Sequence, residues 1–389
     1  MRGDVRHRLS SRRRWRRAAV PPVQTFHPAP AGAPRRNPVA AARRFGDARG
    51  MAITVTPFTA ADTAAVDAAY EVRHATLATD EPDRPPPSRR RFVARVCHPM
   101  PGEEVRWALA TCDGEAAGLL ELALPDEENS ENSHVTIEVH PAYRRRGVGR
   151  ALLAEARRTV SALGRKRMLT ETGWALPDRQ PHDGAGAAFA RAAGWRHVQT
   201  DVIRRLDVTG LDQARLDELL ADAHRRADGY RVVRWYGTTP EEYVSDVAYL
   251  EGRLLIDAPL GEMQWQPVKF DAERIRAVER ALAERGGRRY SVGVLHEASG
   301  RLVAWTLLEV YETEPWHAYQ QITLVDPAHR GRRLGILVKI ENLRYALDAE
   351  PKLRVIDTFN AEANSHMIAI NEAMGFVATG AEASWEEEL

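Results

Sequence analysis

A chain of 389 residues is long for one domain and sufficient for two, each able to bury a core. An apolar fraction of 44% and a charged fraction of 28% belong to a globular protein, and no apolar run approaches the roughly 20 residues of a membrane helix. The net charge of +1 hides an asymmetry: residues 1–50 hold 13 Arg and 2 acids, leaving 42 basic and 52 acidic residues in 51–389, a body unsuited to gripping nucleic acid.

Residues 1–50 are rich in Pro, Ala and Arg without periodicity, so disorder is expected. A basic arm and a transit peptide are two readings of this stretch. A start assigned upstream of Met51 is the favoured third. Only 4 of the 55 basic residues are Lys, the bias expected of a GC-rich, actinobacterial coding sequence. Cys97 and Cys112 sit in no redox or metal-ligand spacing and fit a reducing, cytoplasmic compartment.

From Met51 the pattern gives a strand at Ile53–Val55, a helix over Ala60–Leu77, a proline-rich loop at 82–87 and a short helix over Arg89–Val96. Strands Arg106–Cys112 and Ala116–Leu124 flank an Asp113-Gly114 turn. The strand Val135–Val139 follows, then Pro141, the basic turn Arg144-Arg145-Arg146-Gly147-Val148-Gly149-Arg150, and an amphipathic helix over Ala151–Leu163. Strand Arg167–Thr172 and helix Ala185–Ala193 close the first half, with Asp183 able to cap the helix. Leu211–Arg226 reads as a connecting amphipathic helix. The second half runs through strand Tyr230–Tyr236, helix Thr239–Glu251, an irregular stretch to Val268, helix Ala272–Arg285, and strands Tyr290–His296 and Leu302–Glu312.

The strand, proline, basic turn and helix then return. Pro327 stands 186 residues after Pro141, ahead of Arg330-Gly331-Arg332-Arg333-Leu334-Gly335-Ile336. So long a period means a duplicated domain and not a solenoid. A turn of this kind leaves helix N-terminal N–H groups open to a phosphate. After strand Leu353–Phe359, Asn364 opens a helix that Gly375-Phe376 ends, with capping chemistry at both points.

These phrases, in order and twice, resemble the two signatures of the GNAT acetyltransferases, and in their tandem form the mycothiol synthase-like proteins. The resemblance covers about residues 52–389 and implies two α+β sandwiches, each a mostly antiparallel mixed sheet with helices on both faces. The expected organisation is an extension over 1–50, an N-terminal domain over 51–208, a linker helix over 209–229 and a C-terminal domain over 230–389. It implies acetyl-coenzyme A bound by Ile137, Val139 and Arg144–Arg150 (Arg144, Arg145, Arg146, Gly147, Val148, Gly149, Arg150) in the first half. In the second half the matching positions are Thr323, Val325, Arg330, Gly331, Arg332, Arg333, Leu334, Gly335 and Ile336, with Asn364.

Each half departs from the family pattern. The first has Asp183 at the motif Asn and Ala190 where a Tyr acid is common; the second has Arg333 for the first glycine and Asn371 for that Tyr. Glu309 and Asn371 are the expected catalytic positions, with no one carboxylate singled out as the base. Glu312, Glu121 and Glu138 also lie near the expected cleft, though strand carboxylates are more often solvated. His140, His329 and His366 make no metal constellation. The function implied is direct acetyl transfer to a small-molecule amine, placed in the C-terminal half because it keeps Asn364 and carries an insertion over 257–268 suited to an acceptor pocket. The protein is expected as a monomer or homodimer without nucleic-acid or membrane partners. The alternative is a non-catalytic acetyl-coenzyme A-binding regulator, which the missing tyrosines favour.

Overall fold

In the computed structural model the described residues are 42–46, 52–85, 88–177 and 184–389. Expectations about the rest of the extension, and about Asp183 as a cap, lie outside them. The first half contains β1 (Arg43–Gly46), β2 (Ala52–Phe58), α1 (Thr63–Asp80), α2 (Arg89–Cys97), β3 (Glu103–Cys112), β4 (Glu115–Pro125), β5 (Asn132–Val139), α3 (Val148–Ala162), β6 (Arg167–Ala175), α4 (Ala185–Ala192) and β7 (Arg196–Asp207). Next comes α5 (Gln213–Arg226). The second half follows with β8 (Tyr230–Tyr236), α6 (Val244–Gly252), α7 (Leu254–Asp257), α8 (Ala272–Glu284), β9 (Gly287–His296), β10 (Arg301–Tyr311), β11 (His317–Val325), α9 (Leu334–Ala349), β12 (Val355–Ala361), α10 (Ser365–Ala373) and β13 (Val377–Glu388).

Local chemistry sets these boundaries. Asp113 and Gly114 both take positive φ, 51° and 92°, which matches the twist of the β3–β4 hairpin. The Ser88, Asp212, Asp271 and Asn364 side chains accept the N–H three residues on, capping α2, α5, α8 and α10. Gly194 and Gly375, at φ 87° and 96°, end α4 and α10. One helix is shorter than its pattern: the Thr239 N–H donates to Glu279 Oε1 on α8 at 2.8 Å, holding 239–243 out of α6.

All thirteen strands join one sheet in the order β1-β2-β3-β4-β5-β6-β13-β7-β12-β11-β10-β9-β8. Helices pack on both faces of each half. In the first, α3 covers a core of Leu120, Leu152 and Val160, while α1 and α2 cover Phe58, Phe92 and Trp107. In the second, α5 and α9 lie over Val292, Leu308 and Leu337, with α6 and α8 on Trp305 and Ile322.

Three expectations are corrected. Arg43–Gly46, assigned to the disordered extension, pairs antiparallel with Ala52–Val55, and Phe45 packs on the α3 core. The linker helix α5 is part of the second half's core, since Leu216, Leu220 and Ala223 are buried against it. The halves are also not self-contained. β13, the last strand of the second half, pairs with β6 of the first, and β7 pairs with β12 of the second. Trp385 and Ala383 of β13 therefore fill the first half's core, while Leu206 of β7 fills the second's. Residues 40–389 form one compact unit. Across the exchange, Arg205 donates to both Asp357 oxygens at 2.7 and 2.8 Å, and His317 Nε2 lies 2.8 Å from Oδ2. Burial alone would raise that carboxyl; these partners hold it at about 2.

Candidate active site

β5 and β6 run parallel for only three residue pairs, Asn132–His134 with Arg167–Leu169. On its other side β5 stays paired with β4 from His134 to Val139. The two strands thus diverge as a wedge whose inner backbone N–H and C=O groups lack ladder partners, and such groups need one from elsewhere. The second half repeats this, with His317–Tyr319 against Val355–Asp357. There Thr358 Oγ1 donates to Gln320 O at 3.3 Å, bridging the gap just past the last pair.

A helix N-terminus follows each wedge-forming strand. α3 starts after Gly147 (φ 90°) and α9 after Arg333 (φ 61°), and neither cap residue offers a side-chain bond, so the first-turn N–H groups face the loop. Both loops need left-handed backbone at two positions. The first uses Arg145 and Gly147, the second Gly331 and Arg333, so arginine and glycine have traded places. Among the described residues Arg333 holds this shape with one exposed ion-pair contact, to Asp222 at 3.3 Å. Arg333→Gly should then raise stability by about 0.5 kcal/mol, the left-handed strain less glycine's added freedom when unfolded. A urea midpoint that falls would contradict this.

The arginines of the first loop have distinct duties. Arg144 is taken up by the fold: its Nη2 meets Asp80 at 2.7 and 2.8 Å, and Nε donates to Val139 O at 3.2 Å. Arg145, Arg146 and Arg150 remain exposed around the helix end. In the second loop Arg330 likewise bonds Val325 O at 3.2 Å and meets Asp257 at 2.8 Å. Leu334, Gly335 and Ile336 are buried, and a Cβ on Gly335 would sit 3.3 Å from Ile370. Gly149 is more open, with Phe189 and Val139 at ordinary contact distance.

Two cavities meet in the first half. One, of about 200 Å³, fills the wedge between Ile137 on β5, Thr172 on β6 and Phe189 on α4. The second, of about 480 Å³, lies under α1 and α2, and Arg285, Tyr311 and Tyr319 of the second half close it. Leu77, Glu81, Thr136 and Glu138 line both, so the two cavities adjoin at those residues. The second half is held over it by Thr313 on Ser88 at 2.9 Å, Arg285 Nη2 on His98 O at 2.7 Å, and Asn132 Nδ2 on Gln264 O at 2.9 Å.

A buried charge group lies where the cavities join. Arg73 Nε donates to both Glu138 oxygens at 3.1 and 2.8 Å, and its Nη2 to Glu121 Oε2 at 2.9 Å. Arg95 Nε adds a 2.6 Å bond to Glu121 Oε1. Desolvation pushes the Glu138 carboxyl up, and Arg73 only partly offsets it. Desolvation acts on Glu121 too, but two arginines outweigh it and its pKa is lowered. Two neighbouring carboxylates are thereby set apart, the usual means of giving one of them acid–base work.

The acetyltransferase (GNAT) family model matches residues 68–176, from α1 through β6. No curated protein matches. A solved tandem GNAT protein from the clavulanic acid biosynthesis pathway is 30% identical, covers 86% of this chain and 98% of its own, and has a TM-score of 0.73. The chain belongs to the GNAT acetyltransferase family. A GCN5-related N-acetyltransferase from Sphaerobacter thermophilus shares the fold at 14% identity, over 88% of this chain and 97% of its own, with a TM-score of 0.58. So does a GCN5-related glucosamine N-acetyltransferase region of a fungal multi-domain GH3 β-N-acetylglucosaminidase, at 12% identity, 86% and 38% coverage and a TM-score of 0.60.

Within this tandem GNAT protein the two expected catalytic residues are not brought together. Glu309 is buried behind the larger cavity, where Tyr311 Oη donates to it at 3.0 Å and Gln321 Nε2 at 2.8 Å. Asn371 is buried, its Nδ2 bonded to Asn360 Oδ1 at 2.6 Å, and an amide N–H is far too weak an acid to protonate a thiolate. Asn364 caps α10 through the Met367 N–H at 3.2 Å. Ala190 lines the wedge cavity. The 257–268 insertion lines neither cavity; it clamps the first half through Gln264 and Gln266. The cavity residues Arg73, Arg91, Arg95 and Arg285 were missed, because no spacing in sequence links α1, α2 and the end of α8. No helix among the described residues is long and apolar enough to cross a membrane.

Proposed function

We propose that this protein transfers the acetyl group of acetyl-coenzyme A to a small-molecule amine in the first half, with the cofactor in the β5–β6 wedge and the amine in the larger cavity. The observation behind this is that the two cavities adjoin, with Thr136 and Glu138 lining both. The unpaired wall of the wedge and the free first turn of α3 suit an extended chain ending in phosphates. Acetyl-coenzyme A bound there supplies the thioester. The β5 backbone N–H groups offer donors for developing negative charge, and Glu138 takes the proton that the attacking amine sheds. Arg73 and Glu121 hold Glu138 in place.

A second reading, catalysis in the C-terminal half, keeps one observation in its favour. β11 carries a bulge at Gln321 opposite Leu307 and Leu308, and bulges leave a backbone group unpaired beside many active sites. Thiol release across an amine panel tests for transfer, and paired variants test the half. Gly149→Glu sets a carboxylate against phosphate and should weaken acetyl-coenzyme A by about 2 kcal/mol, roughly thirtyfold, and remove most turnover. Arg332→Glu reverses an exposed charge on the second loop and should spare turnover. The opposite pattern would move catalysis to the second half. Cofactor binding with no turnover on any amine would favour the regulator.

A further inference from the structure

Five arginines line the larger cavity, Arg73, Arg84, Arg91, Arg95 and Arg285, against three glutamates, Glu81, Glu121 and Glu138. The glutamates are already engaged. Arg73 and Arg95 share Glu121 and Glu138, while Arg84 pairs with Glu81 and, at 3.1 Å, with Glu382. Arg91 and Arg285 are left with no ion pair among the described residues. Arg91 lies over Tyr311, its guanidinium carbon 3.6 Å from the ring centroid, and lines the cavity. Arg285 is 9% exposed; its Nη2 bonds His98 O, but the buried Nε has no partner. A buried cation with an unmet donor, facing like charge from Arg95, is costly unless an anion arrives.

We propose that Arg91 and Arg285 bind an anionic group of the acceptor, a carboxylate or phosphate, so that the substrate class is amines that carry such a group. One cation comes from α2 of the first half and the other from the end of α8 in the second. Acceptor recognition therefore needs both halves even when one half performs the chemistry. The guanidinium fork matches either oxyanion. This inference rests on the larger cavity being the acceptor site of the proposed function.

Two measurements separate its failure from that of the parent reading. The first compares matched amines under acetyl-coenzyme A: an ω-amino carboxylate, its amide, and the aminoalkyl phosphate of like length. The charged amines should lead the amide in kcat/KM by on the order of tenfold to a hundredfold, the worth of a charge-assisted hydrogen bond. Arg285→Gln and Arg91→Gln should each collapse that ratio; the better charged amine tells carboxylate from phosphate. The second needs no turnover: calorimetry with glutarate and with inorganic phosphate on the full chain. Binding in the parent protein that both variants lose supports the anion site even if no amine is acetylated, and the acetyl-transfer reading alone would then fall. Transfer without charge preference, or neither preference nor anion binding, overturns the proposal.

Discussion

Glu138→Gln should lower kcat by on the order of a hundredfold or more, the usual share of a positioned general base, while acetyl-coenzyme A affinity stays within a few-fold. The substitution keeps one hydrogen-bonding oxygen for Arg73 and removes the ability to take a proton, together with the second acceptor and the charge that Arg73 meets. Burial raises the Glu138 pKa, so the wild-type rate should fall as pH drops through that raised value and the base becomes protonated. In the Gln variant that acid limb should vanish. Glu121→Gln is the comparison, because it disturbs the same Arg73 cluster and should cost similar stability. Its carboxyl is held low by Arg73 and Arg95 against desolvation, so it is ionised wherever Glu138 titrates, and the acid limb should survive its loss. A limb kept in Glu138→Gln and lost in Glu121→Gln would reverse the assignment.

What could be read in the sequence was what local chemistry controls. The two loops were legible because a tight strand-to-helix turn needs glycine or other left-handed residues, and Asn364 and Gly375 because helix ends need caps. The placement of β13 was not legible. Its alternation at Ala381, Ala383 and Trp385 marks a strand with one apolar face, yet says nothing of which half that face covers. A strand flanked by β6 and β7 rather than by its own β12 follows from the fit of Trp385 into the α3 side core, with Nε1 on Thr172 Oγ1 at 2.8 Å. The cavity was hidden for a related reason. Arg91, Arg285 and Tyr319 come from three remote segments, and only the docking of the second half onto α2 turns them into one wall. The Asn364 signature of the second half is a local feature, whereas this cavity exists only in the folded chain.

Lys339→Met should stabilise the protein by on the order of 4 kcal/mol at pH 6 and by almost nothing above pH 10.5. Lys339 lies on α9 at 1% exposure, in a helix whose residues from Leu334 to Leu343 are all buried. Among the described residues no carboxylate or hydrogen bond meets its Nζ, which lies 5.2 Å from the centre of the Phe376 ring. Desolvation brings the amine from its ordinary 10.5 down to about 7. Between those two values the unfolded chain binds a proton that the folded chain does not, so the parent protein gains stability as pH rises through the window. Below about pH 7 both states are protonated and the penalty stands in full. Methionine keeps the volume and unbranched shape without the charge, so packing changes little. Urea unfolding of both proteins from pH 6 to pH 10.5 reads the difference directly. An unchanged midpoint at pH 6, or a gain that does not shrink with pH, would mean that the ammonium has a counter-charge or reaches water.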